Sequence, residues 1–290
     1  MTLTFIQTAD AYRYAEMAAV TSRTVRLYAQ RWGGRYEQYL GVKRGDHPWH
    51  AAFNRIFMLE ELLDRGVTGW VCHMDADAWI EDLAFDLPAY LAPRDHLAGL
   101  FTPSLATDHW WDINTGVFLL NLSHPVAREL AALWRKEIDR FWDRIGPLEA
   151  FPPAGPDDQS ILHDILRERP EFEPAFELCS PDLINSEWAQ VIRQHLRSNA
   201  IDMDARLGRI KSEVARVLRS QAGVTPPGAL GTAFEVIDGL YRGLLGRPFE
   251  GDADHAYVQL VVDAGVRDGV RMVSDYISNS GEFVARRSAG

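Results

Sequence analysis

The chain has 290 residues, 47% hydrophobic and 24% charged, a balance that excludes disordered, collagen-like and coiled-coil proteins. Its net charge of -11, from 41 acidic against 30 basic side chains, is a poor footprint for a phosphate backbone and argues against nucleic acid as a partner. Cys72 and Cys179 are too few for a disulfide framework, so they read as small buried hydrophobes in a reducing, cytoplasmic compartment.

In chain order, Thr2 to Thr8 is a β-rich run that stops at Ala9-Asp10-Ala11. A helical pattern follows from Tyr12 to Arg31, with Gly33-Gly34 as its stop. Tyr36 to Val42 predicts a second strand. Phe53, Ile56, Phe57, Leu59, Leu62 and Leu63 then recur at helical spacing ahead of Gly66. Trp70-Val71-Cys72-His73-Met74 is a compact apolar run broken by Asp75, the pattern of a buried strand in a parallel sheet. Leu97–Phe101 and Val117–Leu122 predict further strands. Ser123 reads as the N-cap of a long amphipathic helix carrying Val126, Leu130, Leu133, Trp134, Ile138 and Phe141, with Pro125 in its first turn. Asp158-Gln159 opens another helix, and Leu207, Ile210, Val214, Val217 and Leu218 mark one more. Strands alternating with helices predict α/β layering. The proline- and glycine-rich stretch at 222–231 reads as a linker between a domain at 1–221 and a module of short helices at 232–290. The N-terminus has no basic n-region, and no stretch approaches the ~20 apolar residues of a membrane span. Peripheral attachment at the inner membrane stays open.

Asp75-Ala76-Asp77 carries the strongest chemical signal. Two carboxylates spaced i, i+2 at the end of a buried strand sit where open α/β sheets bind ligands. Their mutual repulsion is relieved by a hard divalent cation, Mn²⁺ or Mg²⁺, which keeps coordination positions for phosphate oxygens. A solvated acidic turn is the plainer reading of such a triplet. Searches for a phosphate loop, H-E-x-x-H and G-x-S-x-G find nothing.

Trp70-Val71-Cys72-His73-Met74-Asp75-Ala76-Asp77-Ala78 resembles the DxD strand of nucleotide-sugar glycosyltransferases of the GT-A fold. It is similar to that of the galactosyl-, xylosyl- and mannosyltransferase group, which reads W-x-x-x-x-D-A-D-A. Arg26 to Gly33 resembles the group's Y-A-x-x-H-G stretch, with Trp32 in place of the histidine. Asn114-Thr115-Gly116-Val117-Phe118-Leu119-Leu120 resembles its N-x-G-x-F-L-L strand, and Asp158-Gln159 its acidic-Gln pair. The resemblance runs from about Thr4 to Arg197. It implies a Rossmann-like α/β sheet with flanking helices, and a metal-dependent transfer of a hexose or pentose from a UDP- or GDP-linked sugar to a glycan hydroxyl, with retention favoured.

By that resemblance Asp75 and Asp77 hold the metal and contact the ribose, with Ala76 between them. Thr8, Asp10 and Tyr12 are candidates for the base, and Tyr12 is equally ordinary packing. Arg55 meets the diphosphate or lies on the surface. Asn114, Thr115 and Gly116 face the sugar and acceptor, or form a turn entering the strand. Trp110 and Trp111 either stack on an acceptor sugar or cap the core. Asp158, with Gln159, acts as a base or stabilises charge at the anomeric carbon, or complements the helix dipole. His195 is the candidate third metal ligand, with a surface histidine as its alternative.

Leu240-Tyr241-Arg242-Gly243-Leu244-Leu245-Gly246-Arg247 and Ser280-Gly281-Glu282-Phe283 resemble the ends of a small bacterial helical domain, L-Y-R-x-L-L-G-R … S-x-E-F, that accompanies surface-polysaccharide enzymes and adhesins. That implies a role in bacterial surface glycan synthesis and a docking module for a protein partner, or a structural cap. Two other readings stay open: a nucleotidyltransferase, although the Gly-rich basic loop it needs is missing, and a binding module on an inactive transferase fold.

Overall fold

The computed structural model describes residues 2–152, 155–195, 202–221, 229–250, 256–278, 280 and 283. The chain divides into two compact units, Met1–Val217 and Leu218–Gly290. Residues 222–228 of the expected linker lie outside the described residues, as do Gly281 and Glu282.

The first unit contains β1 (Leu3–Ala9), α1 (Ala15–Arg31), β2 (Arg35–Leu40), α2 (Asn54–Asp64), β3 (Trp70–Asp75), β4 (Ala78–Ile80) and α3 (Leu87–Leu91). It continues with β5 (Gly99–Pro103), β6 (Ile113–Asn121), α4 (Pro125–Ile145), α5 (Asp158–Glu168), β7 (Phe176–Leu178), β8 (Ile184–Ser186), β9 (Ile192–Gln194) and most of α6 (Met203–Gln221), up to Val217. Six strands form the main sheet in the order β2-β1-β3-β6-β5-β7, and β4-β9-β8 form a second, small sheet. β1 runs parallel to β2 and β3. β6 runs antiparallel to both β3 and β5. The sheet is therefore mixed, where the apolar β3 run predicts a parallel one. Burial on both faces produces the same uninterrupted apolar sequence whichever way the neighbour runs.

One face of the main sheet is covered by α2, α4 and α5, through Ile56, Leu59, Leu62, Leu130, Trp134, Ile138, Ile161 and Leu162, all essentially buried. These positions follow the 3.6-residue period of helices with a single apolar face. α1 packs against β1, β2 and the small-sheet strand β4.

Several ends differ from the sequence expectation, each for a local reason. α1 starts at Ala15 rather than Tyr12 because the Asp10 carboxylate accepts the backbone N–H groups of Tyr12 (2.8 Å) and Arg13 (2.5 Å), holding that stretch as a turn. α4 is capped by His124, whose Nδ1 accepts the Val126 N–H, while Ser123 Oγ accepts the N–H of Gly69. β6 starts at Ile113, so Asn114-Thr115-Gly116 lie within the strand and do not form a turn before it.

The second unit contains α7 (Ala229–Leu245) and α8 (Ala256–Ser278), joined through a core that includes Ala233, Ile237, Val258, Val261, Val273 and Ile277. The 17-residue α7 and the 23-residue α8 are longer than the short helices expected of this module. Gly239 and Gly243 have open space where a side chain would stand, so they lower helix propensity without breaking the helix. Among the described residues, no helix is long and apolar enough to cross a membrane.

Candidate active site

The C-terminal ends of β1 and β3, the start of β6 and the N-termini of α2 and α5 meet at one end of the central strands of the main sheet. There they line a cavity of about 770 Å³, within the range of small-molecule sites. Thr8, Asp10, Arg55, Asp75, Ala76, Asp77, Asn114, Thr115, Gly116, Asp158 and Gln159 all line it.

Asp75 and Asp77 are aimed by hydrogen bonds to the backbone around them. The Ala76 carbonyl accepts the Thr21 hydroxyl at 2.8 Å, and the Asp75 carbonyl accepts Gln7 Nε2 at 3.0 Å. Each of the four carboxylate oxygens meets a side-chain donor. Arg55 Nη2 donates to Asp75 Oδ1 at 2.7 Å, and Arg206 Nη2 to Asp77 Oδ2. Gln194 Nε2 lies 3.1 Å from both Asp75 Oδ2 and Asp77 Oδ1, so two oxygens on different residues converge on one point. Among the described residues, Gln194 Oε1 is buried without a hydrogen-bond partner. A Cβ on Gly116 would stand 2.1 Å from that oxygen, so glycine at 116 makes room for the Gln194 amide.

Arg55, buried beneath this pair, also reaches the other carboxylate. Its Nε lies 3.4 Å from Asp158 Oδ2, and its Nη1 donates to the Thr115 carbonyl at 2.5 Å. Burial opposes its charge, but Asp158 and Asp75 outweigh that and hold its pKa above the ordinary value. The helix-cap role falls to Asp157, whose carboxylate accepts the Ser160 N–H at 2.7 Å and whose N–H is accepted by Ser160 Oγ. Asp158 is thereby free to face the cavity, 3.3 Å from Thr115 Oγ1. Desolvation pushes its carboxyl up to about 6; Arg55 opposes that shift, and Asp157 and Asp75 add to it. Gln159 Oε1 accepts the Thr115 N–H at 3.0 Å, which ties α5 to β6. On the far side of α5's first turn, Trp134 Nε1 donates to the Asp158 carbonyl. Behind Asp75, His73 is buried and stacks on Phe118, with its Nε2 4.0 Å from Asp75 Oδ1. Desolvation, with Arg55 nearby, lowers its pKa well below the usual histidine value and keeps it neutral.

Four expected site residues lie elsewhere. Tyr12 is 83% exposed and does not line the cavity. Trp110 and Trp111 pack against the core under α2, α4 and α5. Trp111 also stacks on His109 and lies beneath Arg167. His195 gives its backbone N–H to the Asp77 carbonyl at 3.1 Å, but its ring turns away and pairs through Nδ1 with Glu187. Among the described residues, no three His, Cys, Asp or Glu side chains are grouped to hold a metal.

Gln194, Arg206, Arg13 and Trp49 reach the cavity without having been singled out in the sequence. Gln194 and Arg206 belong to no motif. The only available signal is that Gln194 adjoins His195 in a segment that pairs with β4.

No protein-family model matches the chain, and no curated protein matches it. Solved structures do match. The structure of a glycosyltransferase involved in glycosylation of the major capsid of PBCV-1 superposes with a TM-score of 0.53 at 15% identity, over 73% of this chain and 100% of that one. The glycosyltransferase GlyE of Streptococcus pneumoniae TIGR4 matches at 12% identity and a TM-score of 0.48, over 76% of this chain and 63% of GlyE. The galactosyltransferase LgtC matches at 12% identity and a TM-score of 0.45, over 74% of this chain and 96% of that one. The PBCV-1 enzyme carries the fold assignment: a GT-A-like α/β domain, here with additional C-terminal helices.

Proposed function

We propose that this chain is a glycosyltransferase that moves a sugar from a nucleoside diphosphate to a glycan hydroxyl, with Mn²⁺ or Mg²⁺ bound at Asp75 and Asp77. One observation carries the proposal. In a GT-A-like fold, the two carboxylates ending β3, the Asn114–Gly116 segment of β6 and Asp158-Gln159 of α5 line a single cavity.

The donor set suits a hard cation. Asp75 Oδ2 and Asp77 Oδ1 converge on the Gln194 amide, and rotating that amide presents its unpartnered Oε1 as a third oxygen. When bound, the cation supplies charge neutralisation for the diphosphate as it leaves. Arg13, in the loop after β1, and Arg206 add positive charge to the side of the cavity lined by Thr8 at the end of β1 and by Asp10, which are read as contacts of the nucleoside. Asn114 orients the sugar, and Asp158, ionised above about pH 6, stabilises positive charge at the anomeric carbon. Retention of configuration, a hexose or pentose donor and a place in bacterial surface glycan synthesis are the finer parts of this reading. The resemblance of the C-terminal segment to a domain found beside surface-polysaccharide enzymes supports the last. The helical unit is read as a docking module for a protein partner.

The test is to incubate the full chain with UDP-glucose, UDP-galactose, UDP-xylose and GDP-mannose, with Mn²⁺ or with EDTA, and to follow release of nucleoside diphosphate. Slow, metal-dependent hydrolysis of at least one donor is expected. Neither hydrolysis nor thermal stabilisation by any of them would sink the proposal and leave a binding module on a transferase fold.

Two substitutions probe the metal end. Gly116→Ala puts a methyl group into the Gln194 amide and is expected to weaken Mn²⁺-dependent UDP or GDP binding about tenfold, as losses around metal ligands do. Isothermal titration reads the change, and a normal circular dichroism spectrum shows that the fold is kept. His195→Ala, whose ring pairs with Glu187, is expected to leave the Mn²⁺ requirement unchanged. A requirement raised about tenfold or more would restore His195 as a ligand.

A further inference from the structure

The cavity has a second wing that the donor site leaves unused. The turn Pro48–Phe53 just before α2 and the loop after α4 bring Pro48, Trp49, Glu149 and Phe151 to its rim. Trp49 and Phe151 meet edge-to-face at 5.7 Å, and Phe151 is 40% exposed. Trp49 is pinned by its indole N–H, which donates to the Leu148 carbonyl at 2.6 Å, and by its ring contact with Phe53. The aromatic wall is thus held in place before any ligand arrives.

The two wings differ in charge. Of the cations that line the cavity, Arg13 lies in the loop after β1, Arg206 pairs with Asp77, and Arg55 is shared between Asp75 and Asp158. The aromatic rim of Pro48, Trp49, Glu149 and Phe151 carries the Glu149 carboxylate and no lysine or arginine, and Asp157 lines the same cavity. A phosphate would meet the Glu149 carboxylate there, while the Arg55 guanidinium is already paired with Asp75 and Asp158. A neutral polyhydroxylated ring finds what it needs: aromatic faces for its C–H surface and carboxylates that accept its hydroxyls. Asp157 and Asp158 open α5 on the same cavity, so a ring on this wall shares one cavity with the carboxylate proposed to act at the anomeric carbon.

Resting on the function proposed above, we infer that Trp49, Phe151 and Glu149 form the subsite for a neutral acceptor saccharide. This places the acceptor on a different aromatic pair from Trp110-Trp111.

The test uses the full chain with Mn²⁺ and UDP or GDP, and the methyl glycosides of glucose, galactose, mannose and xylose as probes. Saturation-transfer NMR reads glycoside binding, and thermal shift reads nucleotide binding. At least one glycoside is expected to bind the wild type and to bind Phe151→Ala about tenfold more weakly, a loss on the scale of one well-placed aromatic contact. The nucleotide-induced shift is expected to be the same in both proteins. Glu149→Gln, exposed at the same rim, is expected to weaken the glycoside in the same direction and gives a second reading if Phe151→Ala is insoluble. The inference fails if no glycoside binds the wild type, or if both variants bind it as the wild type does. It also fails if Phe151→Ala loses the nucleotide instead, which would assign the aromatic wall to the base. If neither UDP nor GDP stabilises the wild type, the failure lies with the glycosyltransferase reading itself.

Discussion

Asp75→Asn and Asp77→Asn are each expected to lower donor hydrolysis about 100-fold or more, because each removes one of two charges facing the same point. Their effects on stability should differ. Asp75 is partly exposed, and its partner Arg55 keeps Asp158, so Asp75→Asn leaves no buried cation alone. Asp77 and Arg206 are both buried and paired with each other. Asp77→Asn leaves the Arg206 guanidinium with neutral acceptors only, a loss of the kind that costs about 3 kcal/mol. Thermal melts should therefore show a clear drop for Asp77→Asn and a small one for Asp75→Asn. Wild-type turnover in either variant at limiting Mn²⁺ would remove the pair from the reaction. Equal melting temperatures would show that Arg206 finds another partner.

Asp158→Asn is expected to cost about 100-fold in donor hydrolysis, the scale of losing one electrostatic contact to the transition state. It should also remove a pH limb. Desolvation holds the Asp158 carboxyl near 6, so wild-type hydrolysis should rise as pH passes upward through about 6, where the carboxylate forms. Stability should move the opposite way. A carboxyl whose pKa is higher folded than unfolded binds its proton more firmly in the folded chain. Its contribution is therefore complete below the ordinary value of 3.8 and is lost as pH rises through about 6. The variant cannot ionise at this position, so it should lack both the activity limb and that part of the stability loss. A limb near pH 6 that persists in Asp158→Asn would belong to another group.

Much of the frame was legible because its signals are local. The run Trp70 to Met74 is apolar without a gap because β3 is buried on both faces, and it stops at Asp75 because the strand leaves the sheet there. The α4 stripe of Leu130, Trp134 and Ile138 records one buried face. The pairing of β3 with an antiparallel β6 was not legible, since an apolar strand looks the same beside either kind of neighbour. The turn that delays α1 to Ala15 depends on where one Asp10 oxygen points, which composition does not encode.

By itself, the sequence determined where two carboxylates end a buried strand, which helices have a single apolar face, and that an Asn-Thr-Gly segment and an Asp-Gln pair follow in order. Tertiary structure decided which neighbours of those residues reach them. In β9, Gln194 pairs in register with Ala78, and successive side chains alternate between the faces of a strand. The amide therefore faces Asp75 and Asp77, and the next residue, His195, turns its ring to Glu187. A register shifted by one position would exchange the two. Arg206 reaches Asp77 across 129 positions, and Gln194 reaches Asp75 across 119. Contacts over such separations arise from the packing of whole elements, so the pair of acids and Arg55 could be read from the chain as candidates, whereas Arg206 and the amide that meet the pair could be found only in the fold.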